Sequence, residues 1–197
     1  LSTGGYINIG MVFSNKQDIV QAFKCITDYI TQKGSSFTSV KYSKDADGDS
    51  WAEQPIINNV IGVECLSGYY TEFTLSGEFL DADFKKLSLA VNKEDDYFGF
   101  LLRINWEDVS PDNLVPIQEH IISSLIDLYK TASYEYAFVG HEIEIEVHPD
   151  EFEDVIKDNE CYPVSIVGKN DKLVIYYGSI GIDGLSSQEQ RKDTITI

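Results

Sequence analysis

The sequence predicts an α+β fold, a twisted, mainly antiparallel β-sheet with two main amphipathic helices packed on one face. Three observations predict it. Apolar residues recur at helical spacing in two long segments, near residues 19–30 and 114–129. Between them, short apolar runs follow one another with no helical segment intervening, as strands joined by turns do. After the second helix the pattern returns to strand. No Pro/Gly/Ser-rich linker or internal repeat divides the chain. Residues 1–185 therefore read as one domain, with a structural break near Asp108–Asp112, and residues 186–197 as a loose polar tail.

Each element has a local reason. Ile7, Ile9, Met11 and Phe13 share one parity, which predicts a strand. Ser14 lies three residues before Gln17, a capping-box start for a helix carrying Phe23, Ile26 and Ile30 on one side. Gly34 suits the left-handed position that ends it. Phe37–Ser43 is the next strand. Ile56–Cys65 is mostly apolar and predicts a buried strand. Tyr69–Phe79, Leu87–Val91 and Tyr97–Ile104 predict three more. Ser110-Pro111 and Pro116 both belong in first turns, so the second helix starts at Asn113. Its stripe of Leu114, Ile117, Ile121, Leu125 and Leu128 is the widest in the chain. Tyr134–Val139 and Glu142–Val147 return to strand, Pro149–Ile156 is a short helix, and Tyr162–Val167 with Leu173–Tyr177 is a hairpin. Ile19, Phe23, Ile26, Ile117, Ile121, Leu125 and Leu128 are the expected helix contribution to the core.

The charge distribution is the strongest functional signal. Residues 1–41 carry net +2, residues 42–160 net −20 and residues 161–197 net 0, within a total of −18. A field of one sign in one part of the chain repels phosphates, so it argues against nucleic acid or anionic membrane as partner. It fits a basic partner, a cation, or simple solubility. Three widely spaced cysteines (Cys25, Cys65, Cys161) with no CxxC fit unpaired thiols in a reducing, cytoplasmic setting. The first residues lack a basic segment before a long apolar run, so no signal peptide is expected, and no stretch has the ~18 apolar residues of a membrane helix.

Two acidic motifs stand out. Asp45, Asp47 and Asp49 alternate like the start of a calcium loop, but Ser50 stands where the sharp-turn Gly belongs and Ile56 where the bidentate Glu belongs. An exposed acidic turn is the better reading, with Trp51 and Glu53 beside it as an aromatic and acidic contact for a basic surface. A calcium- or magnesium-dependent binding module or enzyme using this loop is the competing reading. Glu142, Glu144 and Glu146 alternate with Ile143, Ile145 and Val147, which predicts a strand with like charges on one face. Such a ladder costs stability unless the face is solvated or meets a basic partner. His120, His141 and His148 form no metal-binding spacing, and there is no GxSxG, P-loop or GxGxxG. No catalytic residue, metal or cofactor is expected.

The segments GGYINIGMVFSN, TSVKYSKDADGDSW, IGVECLSGYYTEFTLSG, DDYFGFLL and LYKTASYEYAFVGHEIEIE resemble an immunity-protein family of bacterial polymorphic toxin systems. The resemblance runs from about Gly4 to Pro149. It implies a cytoplasmic protein that binds and neutralises a cognate toxin, and supplies no contact residues. Those come from charge and pattern: Asp45, Asp47, Asp49, Trp51, Glu53, Glu142, Glu144 and Glu146, facing a basic toxin domain such as a nuclease.

Overall fold

The computed structural model describes residues 4–80, 82–158 and 161–197. Strand β1 (Tyr6–Ser14) leads into helix α1 (Ile19–Gln32). The helix is capped by Asp18, whose Oδ1 accepts from the N–H of Val20 at 2.8 Å, and not by Ser14. Ser14 and Gln17 do bond each other, but they close the turn before the helix. Gly34, at φ +107°, ends α1 as expected. Strands β2 (Ser35–Ser43) and β3 (Trp51–Pro55) follow, then the meander β4 (Thr71–Phe79), β5 (Ala82–Lys93) and β6 (Tyr97–Asn105). Helix α2 (Leu114–Tyr129) begins after Asn113, with Pro116 in its first turn. The chain continues through β7 (Tyr136–His141), α3 (Pro149–Asp158), β8 (Val164–Lys169), β9 (Lys172–Tyr177) and β10 (Arg191–Thr196).

The strands form one ten-stranded sheet in the order β10-β9-β8-β7-β1-β6-β5-β4-β2-β3. Every neighbouring pair is antiparallel. Helices α1 and α2 lie on one face, here called inner. Phe23 of α1 meets Phe73 of β4 at 5.1 Å between ring centres and Phe100 of β6 at 6.0 Å. Ile117, Ile121, Leu125 and Leu128 of α2 join the same cluster, and Ile19 only borders it from the first turn of α1.

The outer face is covered in part. A second cluster joins Val12, Leu101, Tyr136 and Phe138 to Ile145 and to Phe152 of α3. The Tyr136 and Phe152 rings stack in parallel, and the Tyr136 hydroxyl donates to the Val147 carbonyl at 2.5 Å. Strands β1 and β7 are thus buried on both faces and lose their alternation, as sandwiched strands do.

Three expectations are corrected. Residues 56–65 are not a buried strand. Asn58 and Asn59 both hold left-handed backbone (φ 55° and 56°), which breaks any ladder, and Val63–Ser67 is a 3-10 turn. Residues 142–147 are not a strand either. Glu142 at φ 56° turns the chain out of β7 and across the outer face as a strap. The Ile/Val side still faces inward, so the alternation reports facing without strand pairing. Finally, the expected polar tail carries β10, whose six residues pair with β9 from Arg191 opposite Tyr177 to Thr196 opposite Lys172.

Ile121→Ala and Leu125→Ala should each lower the unfolding free energy by about 2–5 kcal/mol in denaturant titrations. Changes below about 0.5 kcal/mol at both sites would contradict the packing of α2 on the sheet. Deleting residues 191–197 should speed hydrogen exchange at the β9 amides that pair with β10; unchanged exchange would restore the loose-tail reading.

Candidate interaction surface

The outer face is built differently on its two halves. Over β7, β1 and β6 it lies under the strap and α3. Over β4, β2 and β3, no helix of the described residues covers it. Register decides which side chains stand there. Lys41 of β2 lies opposite Glu53 of β3 on one side and Glu72 of β4 on the other. On the next strand inward, Ser88 and Ala90 of β5 are small, so Arg103 of β6 reaches across to Glu72 at 3.1 Å. Arg103 also meets Glu144 of the strap at 3.3 Å. Signs alternate from the β3 edge to the strap: Glu53, Lys41, Glu72, Arg103, Glu144. The two Arg103 pairs are solvated, so each contributes at most about 1 kcal/mol. Their main effect is to fix side-chain positions on an otherwise open face.

The strap side of this face is an open groove of about 420 Å³, lined by Tyr6, Glu72, Ser88, Arg103, Glu142 and Glu144. Glu142 accepts from the Tyr6 backbone N–H at 2.6 Å. Asn8, only 1% exposed, donates its amide to the Ile143 carbonyl at 2.8 Å and to Glu144 at 3.4 Å. Two of the three acids expected to form a repelling ladder are therefore individually satisfied. Glu146 is exposed at the far end of the strap. There it adds to burial in raising the Tyr97 and Tyr162 hydroxyls above the usual phenol range.

At the opposite end lies the acidic turn. The Asp45 carboxylate accepts from the N–H of Asp49 at 2.8 Å and of Ser50 at 2.6 Å. Both its oxygens close the loop on itself, as aspartate does in turns. Gly48, at φ +73°, gives its carbonyl to the Trp51 indole N–H at 2.6 Å. Asp47 and Asp49 are exposed at the loop tip. Trp51 belongs to β3, stacks beside Tyr70 with ring centres 6.3 Å apart, and carries the Lys41 ammonium 4.7 Å over its ring. Trp51 and Tyr70 remain 43% and 54% exposed, so the pair is rigid and still available for contact.

Trp51, Glu53, Glu142 and Glu144 thus stand on one face, with Asp47 and Asp49 exposed in the loop that adjoins it. The structure assigns Asp45 to the loop's own architecture and sets Glu146 apart. Among the described residues no three His, Cys, Asp or Glu side chains converge as a metal cage. Burial, with Glu64 beside it, pushes the Cys65 thiol up to about 11, far from nucleophilic at neutral pH. Sequence reading missed Lys41, Tyr70, Glu72 and Arg103. One signal was present: Arg103 interrupts the apolar run of residues 97–104 at the outward parity.

The fold and the family can now be set beside known proteins. A chain of the crystal structure of the toxic C-terminal tip of CdiA from Pseudomonas aeruginosa in complex with immune protein resembles this one in fold. The TM-score is 0.51 at 10% identity, over 83% of this chain and 95% of that chain. A type VI secretion protein of the same organism gives a TM-score of 0.38 at 10% identity, over 69% of this chain and 40% of its own. No curated protein sequence matches. The family model described as Immunity protein 64 matches residues 3–188, well past the Pro149 limit of the resemblance read from the sequence. The chain belongs to the Immunity protein 64 family.

Proposed function

We propose that this chain neutralises a cognate bacterial toxin by binding it stoichiometrically through the uncovered outer face at β3, β2 and β4. The observation that carries this reading is the Trp51–Tyr70 pair beside Glu53 and Glu72, with Asp47 and Asp49 exposed in the adjoining loop, on a face that no helix of the described residues covers. Family membership and the fold shared with a chain of a toxin–immune protein complex support a toxin as the partner. Aromatic anchors within a charged rim are how tight interfaces are built. The field of the acidic middle draws in a basic surface and speeds encounter. Toxin domains that act on nucleic acid present such surfaces, and an acidic face fits a groove shaped for phosphates. In this reading the chain acts by occupancy in the cytoplasm of the producing cell, with no bond made or broken and no cofactor. Among the described residues no helix is long and apolar enough to cross a membrane.

The test follows from which acids are available. Reversing Glu142 or Glu144 removes the Tyr6 or Arg103 contact, so those substitutions confound folding with binding. Asp47→Lys, Asp49→Lys and Glu53→Lys act on exposed side chains. Together they should slow association with the isolated toxin domain by about 10- to 100-fold at low salt and leave dissociation nearly unchanged. The difference should shrink at 1 M salt, where the Debye length is about 3 Å. Equal association rates at both salts would place the interface elsewhere.

The loop also answers the cation reading. Because Asp45 is committed to backbone N–H groups, titration with millimolar calcium or magnesium should leave the melting temperature unchanged. Tight binding at 100 times the dissociation constant would add about 2.7 kcal/mol of stability, and a matching rise in melting temperature would restore the metal-dependent alternative.

A further inference from the structure

Among the described residues, twelve large hydrophobic side chains are exposed, and six of them (Trp51, Ile57, Val60, Val63, Tyr69 and Tyr70) fall between residues 51 and 70. Apolar groups scattered singly on a surface need no explanation, whereas a concentration of this kind marks an interaction site. Ile57, Val60 and Val63 are 70%, 76% and 55% exposed, in the segment whose composition predicts a buried strand. We infer that Ile57, Val60 and Val63, at the β3 edge, form the dry anchor of the toxin interface, and that the toxin surface seated on them is apolar and bordered by Lys or Arg. The inference rests on the reading of the chain as a toxin-binding protein.

Three observations support it. The segment is held in place. The Ile56 N–H bonds the Thr38 carbonyl at 2.9 Å, and the Asn59 side chain accepts from the Phe37 N–H at 2.8 Å. The Lys93 ammonium donates to the carbonyls of Leu66 and Gly68, at the end of the following 3-10 turn. With the backbone pinned on both sides and two left-handed asparagines at its bend, the aliphatic side chains are set outward before any partner arrives. Preorganisation of this kind lowers the entropy cost of binding.

Next, the segment borders a concavity. Between it and α1 lies a groove of about 320 Å³ lined by Val20, Phe23, Lys24, Asn59, Ile61 and Val63. Apolar Val20, Phe23, Ile61 and Val63 share its lining with Lys24 and Asp28 of α1, so it can take an apolar side chain flanked by a charged one.

Last, the charge around it has one sign along the chain. Residues 45–72 contain six acids and no Lys or Arg. The segment continues directly from β3, so the aliphatics and the acidic-aromatic face meet along a single edge. Glu53 and Glu64 flank the patch along the chain and Asp28 faces it from α1, against one base there, Lys24, so the surround is acidic in balance and complementary to a toxin surface with an apolar centre and a basic rim.

The division of labour is testable. Steering charges set association, and desolvated apolar contacts set dissociation. The full chain carrying Ile57→Ser, Val60→Ser and Val63→Ser is compared with wild type against the toxin domain encoded beside it, made as a catalytically inactive variant. Dissociation should become at least about tenfold faster, while association and its salt dependence stay at wild-type values. The melting temperature of the variant alone should not fall, because the replaced side chains are exposed in the free chain. Hydrogen exchange of the wild-type complex supplies a second readout, in which amides of residues 57–63 become protected on binding. Wild-type dissociation together with no protection would overturn the inference. A wild type that is dimeric by light scattering and becomes monomeric on these substitutions, with toxin kinetics unchanged, would assign the patch to a second copy and also overturn it. Failure of the underlying reading looks different, since wild type would then not bind the toxin domain at all.

Discussion

The strap at residues 142–148 is the element on which the division of the sheet depends. It leaves β7 at a left-handed Glu142 and crosses the outer face with Ile143, Ile145 and Val147 turned toward the strands. Two contacts hold its backbone: Asn8 from β1 to the Ile143 carbonyl, and the Tyr136 hydroxyl from β7 to the Val147 carbonyl. The Asn8 amide nitrogen and the Tyr136 hydroxyl each supply a donor to a carbonyl that the strap cannot satisfy within a sheet, while the buried Asn8 Oδ1 accepts from no partner among the described residues. Once in place, the strap delivers the chain to α3, and Phe152 stacks on Tyr136. One half of the sheet is then sandwiched and the other half keeps one face open. The open half is where charged and aromatic side chains can stand without desolvation.

The parts of this fold legible in the sequence are those where one side of an element meets the core. The stripes of α1 and α2 have that form, as do the alternating strand β4 and the hairpin of β8 and β9. Failures occurred where composition and environment disagree. Ile57, Val60 and Val63 look like core and are solvent-facing, because Asn58 and Asn59 divert the backbone before a ladder can form. Glu142–Val147 has strand alternation, yet a period of two reports only which way side chains face. Strand β10 has almost no apolar signal, since an edge strand solvated on both faces needs none. The charged residues Arg191, Lys192 and Asp193 also protect that edge from pairing with another chain.

The proposed interaction surface rests on residues legible to different degrees in the sequence. Asp47, Asp49, Trp51 and Glu53 lie close together in sequence, so their cluster could be read directly. The Glu72–Arg103 contact joins residues 31 apart across an intervening strand, and only the register of β4, β5 and β6 brings them together. Small residues at Ser88 and Ala90 make that reach possible, a detail no single-sequence pattern specifies.

Charge is held differently at the two ends of the sheet. At the β10 end, cations are held by the chain itself. Arg191 lies 3.9 Å over the Tyr177 ring, Lys192 lies 5.1 Å over Tyr176, and Lys169 binds Glu153 at 2.7 Å. The Lys169 hydrogen bond keeps the Glu153 carboxyl below the usual carboxylate range, which fixes that pair as charged at neutral pH. At the β3 end, six acids between residues 45 and 72 have no base in the same stretch. Acid is present at both ends all the same, because α3, joined to β8 and β9 through Glu153, carries Asp150, Glu151 and Asp154 as well. On so long a sheet a Debye length of about 8 Å at physiological salt keeps each cluster's field local. What separates the β3 end from the β10 end is therefore access: β2, β3 and β4 stand at the extreme whose outer face no helix of the described residues covers, while β8 and β9 lie beside α3.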